Sequence, residues 1–274
     1  MSSAAAAQVE VQRVRARRRA YALRAHPNLL TAGSLVLTLL IWEWYGRGVD
    51  PIFFSYPSAI VGALPQMIAS GELQRAAAAS ATAFVVGFGL AIVLGVLLGL
   101  LMGRYWIIDR LLDAQVSALY STPNVALIPL LILWFGLGTN SKIAIVFLAA
   151  FFPILVNTQG GVRTVSQHLV DIARAERASE SQIFTKVIIP AALPFMMAGI
   201  RLSIGRAVVG MVVAEMFTAI TGLGGAIVYY GNQFKTDKLL VVVILLACLG
   251  VSLTELARLL ERRLAPWRET ERAT

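Results

Sequence analysis

A helix needs about 20 consecutive, mostly apolar residues to cross the ~30 Å hydrocarbon core of a bilayer, and this chain offers six such runs. They cover residues 29–45, 77–102, 111–137, 142–158, 191–219 and 239–260, the third interrupted by Pro123 and Pro129. With 58% hydrophobic and 14% charged residues, the chain also lacks the polar surface of a water-soluble domain. Disorder and a disulfide scaffold are excluded by that apolar content and by Cys248 standing alone. The 22 glycines follow no three-residue period, which excludes collagen. The expectation is an all-α, multi-pass membrane protein with six transmembrane helices.

Arg and Lys between the runs set the orientation, because cytoplasmic connections collect them. With the amino terminus cytoplasmic, seventeen fall on that side, against Arg47, Arg75, Lys142, Lys235 and Lys238 on the other. Both termini are therefore expected in the cytoplasm. Residues 1–28 form an Arg-rich tail, 29–265 the membrane domain and 266–274 a second tail. The net charge of +9 then reflects topology and anionic headgroups rather than nucleic acid. Residues 1–28 do not read as a cleaved signal peptide, since no small-residue cleavage pattern accompanies the first apolar run. On the outer side, Pro57 to Ser70 reads as a short amphipathic helix lying on the interface, and residues 222–237 as a loop rich in Gly and Tyr.

No catalytic constellation is written in the chain. His26 and His168 are far apart, no His–Glu pair sits at helical spacing, and no metal site is expected. A phosphate-binding P-loop needs a Gly-Lys step, yet the four lysines follow Ser141, Thr185, Phe234 and Asp237. If nucleotide energy drives this protein, another chain must supply it.

Several features mark packing or a pathway. Gly95, Gly99 and Gly103, extended by Gly87, line one face of the second run and suit close helix approach, to a helix of this chain or of a second copy. Ionisable groups inside spans are costly and point to function, and the fifth run carries Arg201, Arg206 and Glu215. Arg201 has two readings, an ion pair or carbonyl contact to neighbouring helices and a cation lining an anion pathway. Glu43 and Glu255 lie near span ends, where snorkelling or capping is expected. In the third run, Tyr120, Ser121, Thr122, Pro123 and Asn124 interrupt apolar sequence. Irregular polar backbone at membrane depth is tolerated only against protein or a water-filled cavity, so this stretch marks either a cavity or a simple kink. Pro153 and Asn157 repeat the signal more weakly.

Residues 164–190 form the longest cytoplasmic connection and read as two short helices joined by a turn. Ser179 and Gln182 fit a capping box. Ile183, Phe184, Val187 and Ile188 make an apolar stripe expected to dock into a partner's groove. Asp171, Ile172 and Ala173, then Arg177, Val187 and Ile189-Pro190, follow a spacing that resembles the coupling loop of bacterial ATP-binding-cassette importers. That loop reads Glu-Ala-Ala, three residues, Gly, nine residues, Ile, one residue, Leu-Pro. Ile128-Pro129-Leu130, residues 134–138, Phe151-Phe152-Pro153 with Asn157, Leu193-Pro194, Gly199-Ile200-Arg201 and Ala214-Glu215-Met216 are similar to the family's nitrate/sulfonate/taurine branch. The resemblance spans roughly residues 30–265. Arg177 replaces a glycine that turns at positive φ, which an arginine adopts reluctantly, so the turn is expected to shift a residue or two towards Ser179. Asp171 for Glu keeps the charge with a shorter reach.

The resemblance implies a permease subunit of type I importer fold in the bacterial cytoplasmic (inner) membrane. It implies no cofactor in this chain, ATP and Mg2+ on two copies of an ABC ATPase, an extracytoplasmic solute-binding protein, and a homodimer as the simplest assembly. The loop 164–190 would couple to the ATPase through Asp171, Ile172, Ala173, Arg177, Val187, Ile189 and Pro190. A small, anionic solute would pass Tyr120, Thr122, Asn124, Asn157, Arg201, Arg206 and Glu215. The alternative is a secondary carrier driven by an ion gradient, needing no ATPase; such carriers often show inverted repeats and paired intramembrane acids, and neither is evident here.

Overall fold

The structure is a computed structural model that describes residues 27–218 and 221–266. Residues 1–26, Ala219 at the end of the fifth run, and the tail from 267 onward lie outside the described residues. All regular elements among the described residues are helical. In chain order they are α1 (Pro27–Arg47), α2 (Pro57–Ala69), α3 (Glu72–Arg104), α4 (Trp106–Ser121), a 3-10 turn (Asn124–Leu127), α5 (Ile128–Phe135) and α6 (Thr139–Arg163). After these come α7 (Gln167–Ala175), α8 (Glu180–Ile183), a π turn (Phe184–Ile188), α9 (Ile189–Phe217), α10 (Gly222–Asn232) and α11 (Thr236–Leu264).

Four segments are long and apolar enough to cross a membrane: α3, α6, the continuous α8–α9 and α11. A fifth crossing arises if α4 and the following Asn124–Phe135 segment count as one span, bent by 94°. The third apolar run is thus sharply bent at Pro123 rather than interrupted and straight. Pro123 supplies no amide hydrogen, and Thr122 before it is extended at φ −74°, ψ 129°, as a residue preceding proline tends to be.

Helix α6 is the spine, with α3 on one side and α9 on the other. The glycine face of α3 meets α6 of the same chain, which settles the partner the sequence left open. A Cβ on Gly99 would lie 2.6 Å from the Leu155 carbonyl, and one on Gly103 2.5 Å from Val162 Cβ. Gly95 and Gly87 face Ile154 and Val146 of α6 in the same way. On the opposite side of α6, Gly161 seats against Phe195, and Asn157 against Gly199 of α9. Such close approach lets dispersion between helices replace the hydrophobic drive that lipid does not provide.

Helix α2 buries Ile60, Ala63 and Met67 along one face, packed on α3 and α11, as its amphipathic pattern predicts. Glu43 of α1 caps it, accepting hydrogen bonds from the Ser58 amide at 2.9 Å and hydroxyl at 2.7 Å while pairing with Arg47 at 2.7 Å. Glu255 pairs with Arg258 at 2.8 Å. The Gly- and Tyr-rich stretch expected as a loop is largely helix α10. Its Tyr230 hydroxyl donates to Glu72 Oε2 at 2.6 Å. Burial and that carboxylate raise the phenol above its ordinary range, so it stays protonated.

Candidate functional site: the loop between α6 and α9 and a cleft beside α4

The connection between α6 and α9 folds as two short helices, α7 and α8, joined at residues 176–179. Helix α7 ends in a Schellman motif. The Arg177 amide donates to the Arg174 carbonyl at 2.9 Å and the Ala178 amide to the Ala173 carbonyl at 3.0 Å. Arg177 itself takes the left-handed position at φ +58°. The turn therefore does not shift towards Ser179 as expected; the hydrogen bonds of the motif hold an arginine where glycine is preferred. The capping box forms, with Ser179 N–H donating to Gln182 Oε1 at 2.8 Å and Gln182 N–H to Ser179 Oγ at 3.3 Å.

The apolar stripe does not face outward. Ile183 and Ile188 are buried with Leu100, Val162, Val170, Ala192 and Met196, with Phe184 packed against them. Periodicity identified the apolar side of this segment correctly, but the bundle covers it. Instead, the outward face is on α7, where Leu169 is 49% and Ile172 48% exposed. Asp171 and Arg177 are exposed beside them, whereas Ala173, Val187, Ile189 and Pro190 are half-buried. Four charged side chains link this face to the bundle. Glu180 at the start of α8 pairs with Arg104 at the end of α3 and lies 3.3 Å from Arg174 Nε. Arg174 in turn sits 3.8 Å from Asp171.

Beside the break after α4, a half-open cleft of about 450 Å3 lies between α4, α5, α6 and α9, with Arg206 and Val209 exposed at its surface. Tyr120, Thr122, Asn124 and Arg206 all line it. The Arg206 guanidinium lies 5.5 Å from the centre of the Tyr120 ring, a distance at which the ring face attracts a cation. No carboxylate among the described residues lies within 4.0 Å of Arg206. Ser121 and Thr122 donate their hydroxyl hydrogens to the Ser117 and Ala118 carbonyls at 2.8 and 2.9 Å, which satisfies backbone acceptors near the break. Ile128, Ile145, Ala149, Val209 and Val213 form apolar walls. A cation without a carboxylate partner in such a setting suits an anion carrying an apolar body.

The other three pathway candidates lie elsewhere. Arg201 pairs with Glu261 of α11, so the ion-pair reading describes it. Asn157 donates its side-chain amide to the Pro153 carbonyl one turn earlier in α6, at 2.8 Å. Glu215 is fully buried and clasps the start of α10, accepting hydrogen bonds from Ser80 Oγ at 2.6 Å and Gly224 N–H at 2.8 Å. Ser80 Oγ accepts the Leu223 amide at 2.8 Å, and Lys142 Nζ donates to Thr221 Oγ1 at 2.5 Å. A carboxylate at a helix amino terminus is electrostatically favoured. Gly222, at φ +76°, leaves no room for a Cβ against that carboxylate. Sequence reading missed Ser80, Glu180 and Arg104. A small hydroxyl in the Ala-rich start of α3 and an acid directly after a capping Ser were the available signals.

The family model described as "Binding-protein-dependent transport system inner membrane component" matches residues 91–266. The putative aliphatic sulfonates transport permease protein SsuC of Escherichia coli strain K12 is 38% identical over 247 residues, covering 89% of this chain and 92% of its own. The taurine transport system permease protein TauC of the same strain is 31% identical over 245 residues, covering 87% and 89%. The riboflavin transport system permease protein RibX of Chloroflexus aurantiacus is 35% identical over 243 residues, covering 88% and 91%. A solved structure of the MetNI methionine ABC transporter in an inward-facing conformation shares the fold, with a TM-score of 0.62 at 21% identity over 73% of this chain and 98% of that one.

Proposed function

The chain belongs to the inner-membrane components of binding-protein-dependent ABC importers, in the nitrate/sulfonate/taurine branch, and from that premise we propose that it forms the pathway for a small anionic solute. The observation that carries the coupling half of this reading is the exposed apolar and charged face of α7 around Asp171 and Ile172. Leu169 and Ile172 stand half-exposed among charged side chains on α7, and a nucleotide-hydrolysing partner docked there would cover them.

In this reading α1 supplies one more crossing. Its 21 residues span about 31 Å, and with the broken α4–α5 counted once the bundle crosses six times. The Arg and Lys imbalance puts both termini and α7 in the cytoplasm of a bacterial cell, with the subunit in its inner membrane. Two copies of this subunit, two ATPases carrying ATP and Mg2+, and an external solute-binding protein make the working assembly. ATP closure of the ATPase dimer moves α7, and the helices reopen towards the binding protein. Hydrolysis belongs to the partner, and this chain moves solute. The relatives are named for sulfonates, taurine and riboflavin at similar identity, so similarity alone does not choose the solute; Arg206 in the cavity favours an anion.

The test is co-expression with the partner ATPase and reconstitution in proteoliposomes. Co-purification and vanadate-sensitive hydrolysis stimulated by the binding protein are expected. Solute uptake with no nucleotide hydrolase attached would overturn the reading in favour of a secondary carrier.

A further inference from the structure

The docking face on α7 is joined to α6 through residues 164–166 and to α9 through α8, whereas this loop meets α3 only through side chains. Two features make that contact directional. Beneath the loop, Ile183, Ile188 and Val170 are buried against Leu100 of α3 and Val162 of α6. At its rim, Glu180 holds Arg104, the last residue of α3, with one carboxylate oxygen and faces Arg174 of α7 with the other. Arg174 then reaches Asp171 on the docking face.

An exposed ion pair of this kind adds little to stability, and Glu180 keeps 59% of its side-chain surface exposed. Its position is the informative property. Residues 176–178 contain a left-handed arginine and no regular helix, so α7 and α8 are separate elements that meet at this turn. Val170 seats α7 on the apolar cluster, and Glu180 adds a charged tie from α7 to the end of α3. With Glu180 gripping both α7 and α3, a push on α7 is delivered to α3. From α3 it passes to α6 through the glycine seam, and α6 contributes Ile145 and Ala149 to the cavity wall.

Building on the coupling role proposed above, we propose that Glu180 and Arg104 form a positioning strut that makes α7, α3 and α6 move as one body, so that ATP-driven movement at the docking face reaches the cavity. The strut touches neither solute nor nucleotide. It governs how much of the ATPase cycle is converted into opening.

The experiment uses the complete complex with its ATPase in proteoliposomes, in a Cys248→Ala background with Val209→Cys as a reporter on the cavity wall. A membrane-impermeant maleimide reads the accessibility of that cysteine before and after ATP and vanadate trapping, and ATP hydrolysis is followed in parallel. In the parent, trapping is expected to change the labelling rate. In Glu180→Gln and in Arg104→Gln, hydrolysis is expected to continue while the trapping-dependent change is lost. Arg104→Lys, which keeps a cation facing Glu180, is expected to retain it. Arg104→Gln leaves the docking face untouched, so it decides the matter even if Glu180→Gln weakens assembly. An unchanged response in Arg104→Gln overturns the strut, and so does loss in Arg104→Lys equal to that in Arg104→Gln. A parent that shows no ATP-dependent change at all would instead count against the transport reading itself.

Discussion

Replacing Gly99 by Ala tests the seam on which the bundle is built. The added methyl would sit 2.6 Å from the Leu155 carbonyl oxygen and 2.7 Å from Thr158 Cβ. Ordinary contact begins near 3.4 Å, so α3 and α6 must separate locally by about 0.8 Å or distort. Overpacking of this sort costs about 1–3 kcal/mol. Gly89, on the same helix, has open space where a methyl would go, with nothing within 4 Å. Gly89→Ala should therefore be neutral or gain up to about 1 kcal/mol from reduced chain entropy. Two substitutions of identical chemistry, ten residues apart in sequence, are thus expected to differ by at least about 1 kcal/mol, roughly a fivefold change in the folding equilibrium. Titration with sodium dodecyl sulfate in mixed micelles, followed by tryptophan fluorescence, measures the difference. Equal midpoints for the two variants would refute the reasoning, because they would show that α3 and α6 are not in contact at Gly99.

Three further perturbations follow from the same geometry. Arg177→Gly removes a left-handed arginine costing about 1–2 kcal/mol; glycine's greater freedom in the unfolded chain returns roughly 0.4–1. A net gain of up to about 1.6 kcal/mol is therefore expected, read as a higher midpoint in the same titration. Ser80→Ala strips the Glu215 carboxylate and the Leu223 amide of a shared partner, and a loss of about 1–3 kcal/mol is expected, with α10 becoming accessible to limited proteolysis first. Arg206→Gln should abolish uptake of an anionic solute while leaving co-purification of the ATPase intact, and Arg206→Lys should retain part of it; unchanged uptake in Arg206→Gln would remove the cavity from the pathway.

The crossings were legible in the sequence because length and apolarity are linear properties. The runs now occupied by α3, α6, α9 and α11 needed no tertiary information. Pro123 announced a break, but the 94° bend depends on how α5 seats against α6, which no local pattern encodes. The stripe at Ile183 and Ile188 shows the same limit: spacing reveals which face is apolar, not whether the bundle or a partner covers it. Glu215 was read as a pathway acid because an intramembrane carboxylate usually is one. Its partner is a helix amino terminus that begins seven residues later, after Thr221, and Gly222 and Gly224 were the clue. Among the candidates for the pathway, the cluster at Tyr120, Thr122 and Asn124 was found from proline and polar residues alone. Arg206 joined it only once α9 was packed against α6 across the cleft from α4.

The account rests on α7 meeting a separate ATPase in the cytoplasm, and a single cysteine at position 172 tests that most directly. In a Cys248→Ala background, Ile172→Cys in intact cells should resist a membrane-impermeant maleimide, and in inverted vesicles should react with it or cross-link to the ATPase by a short bifunctional reagent. Labelling from outside the cell, or cross-linking to no nucleotide hydrolase under any condition, would contradict it.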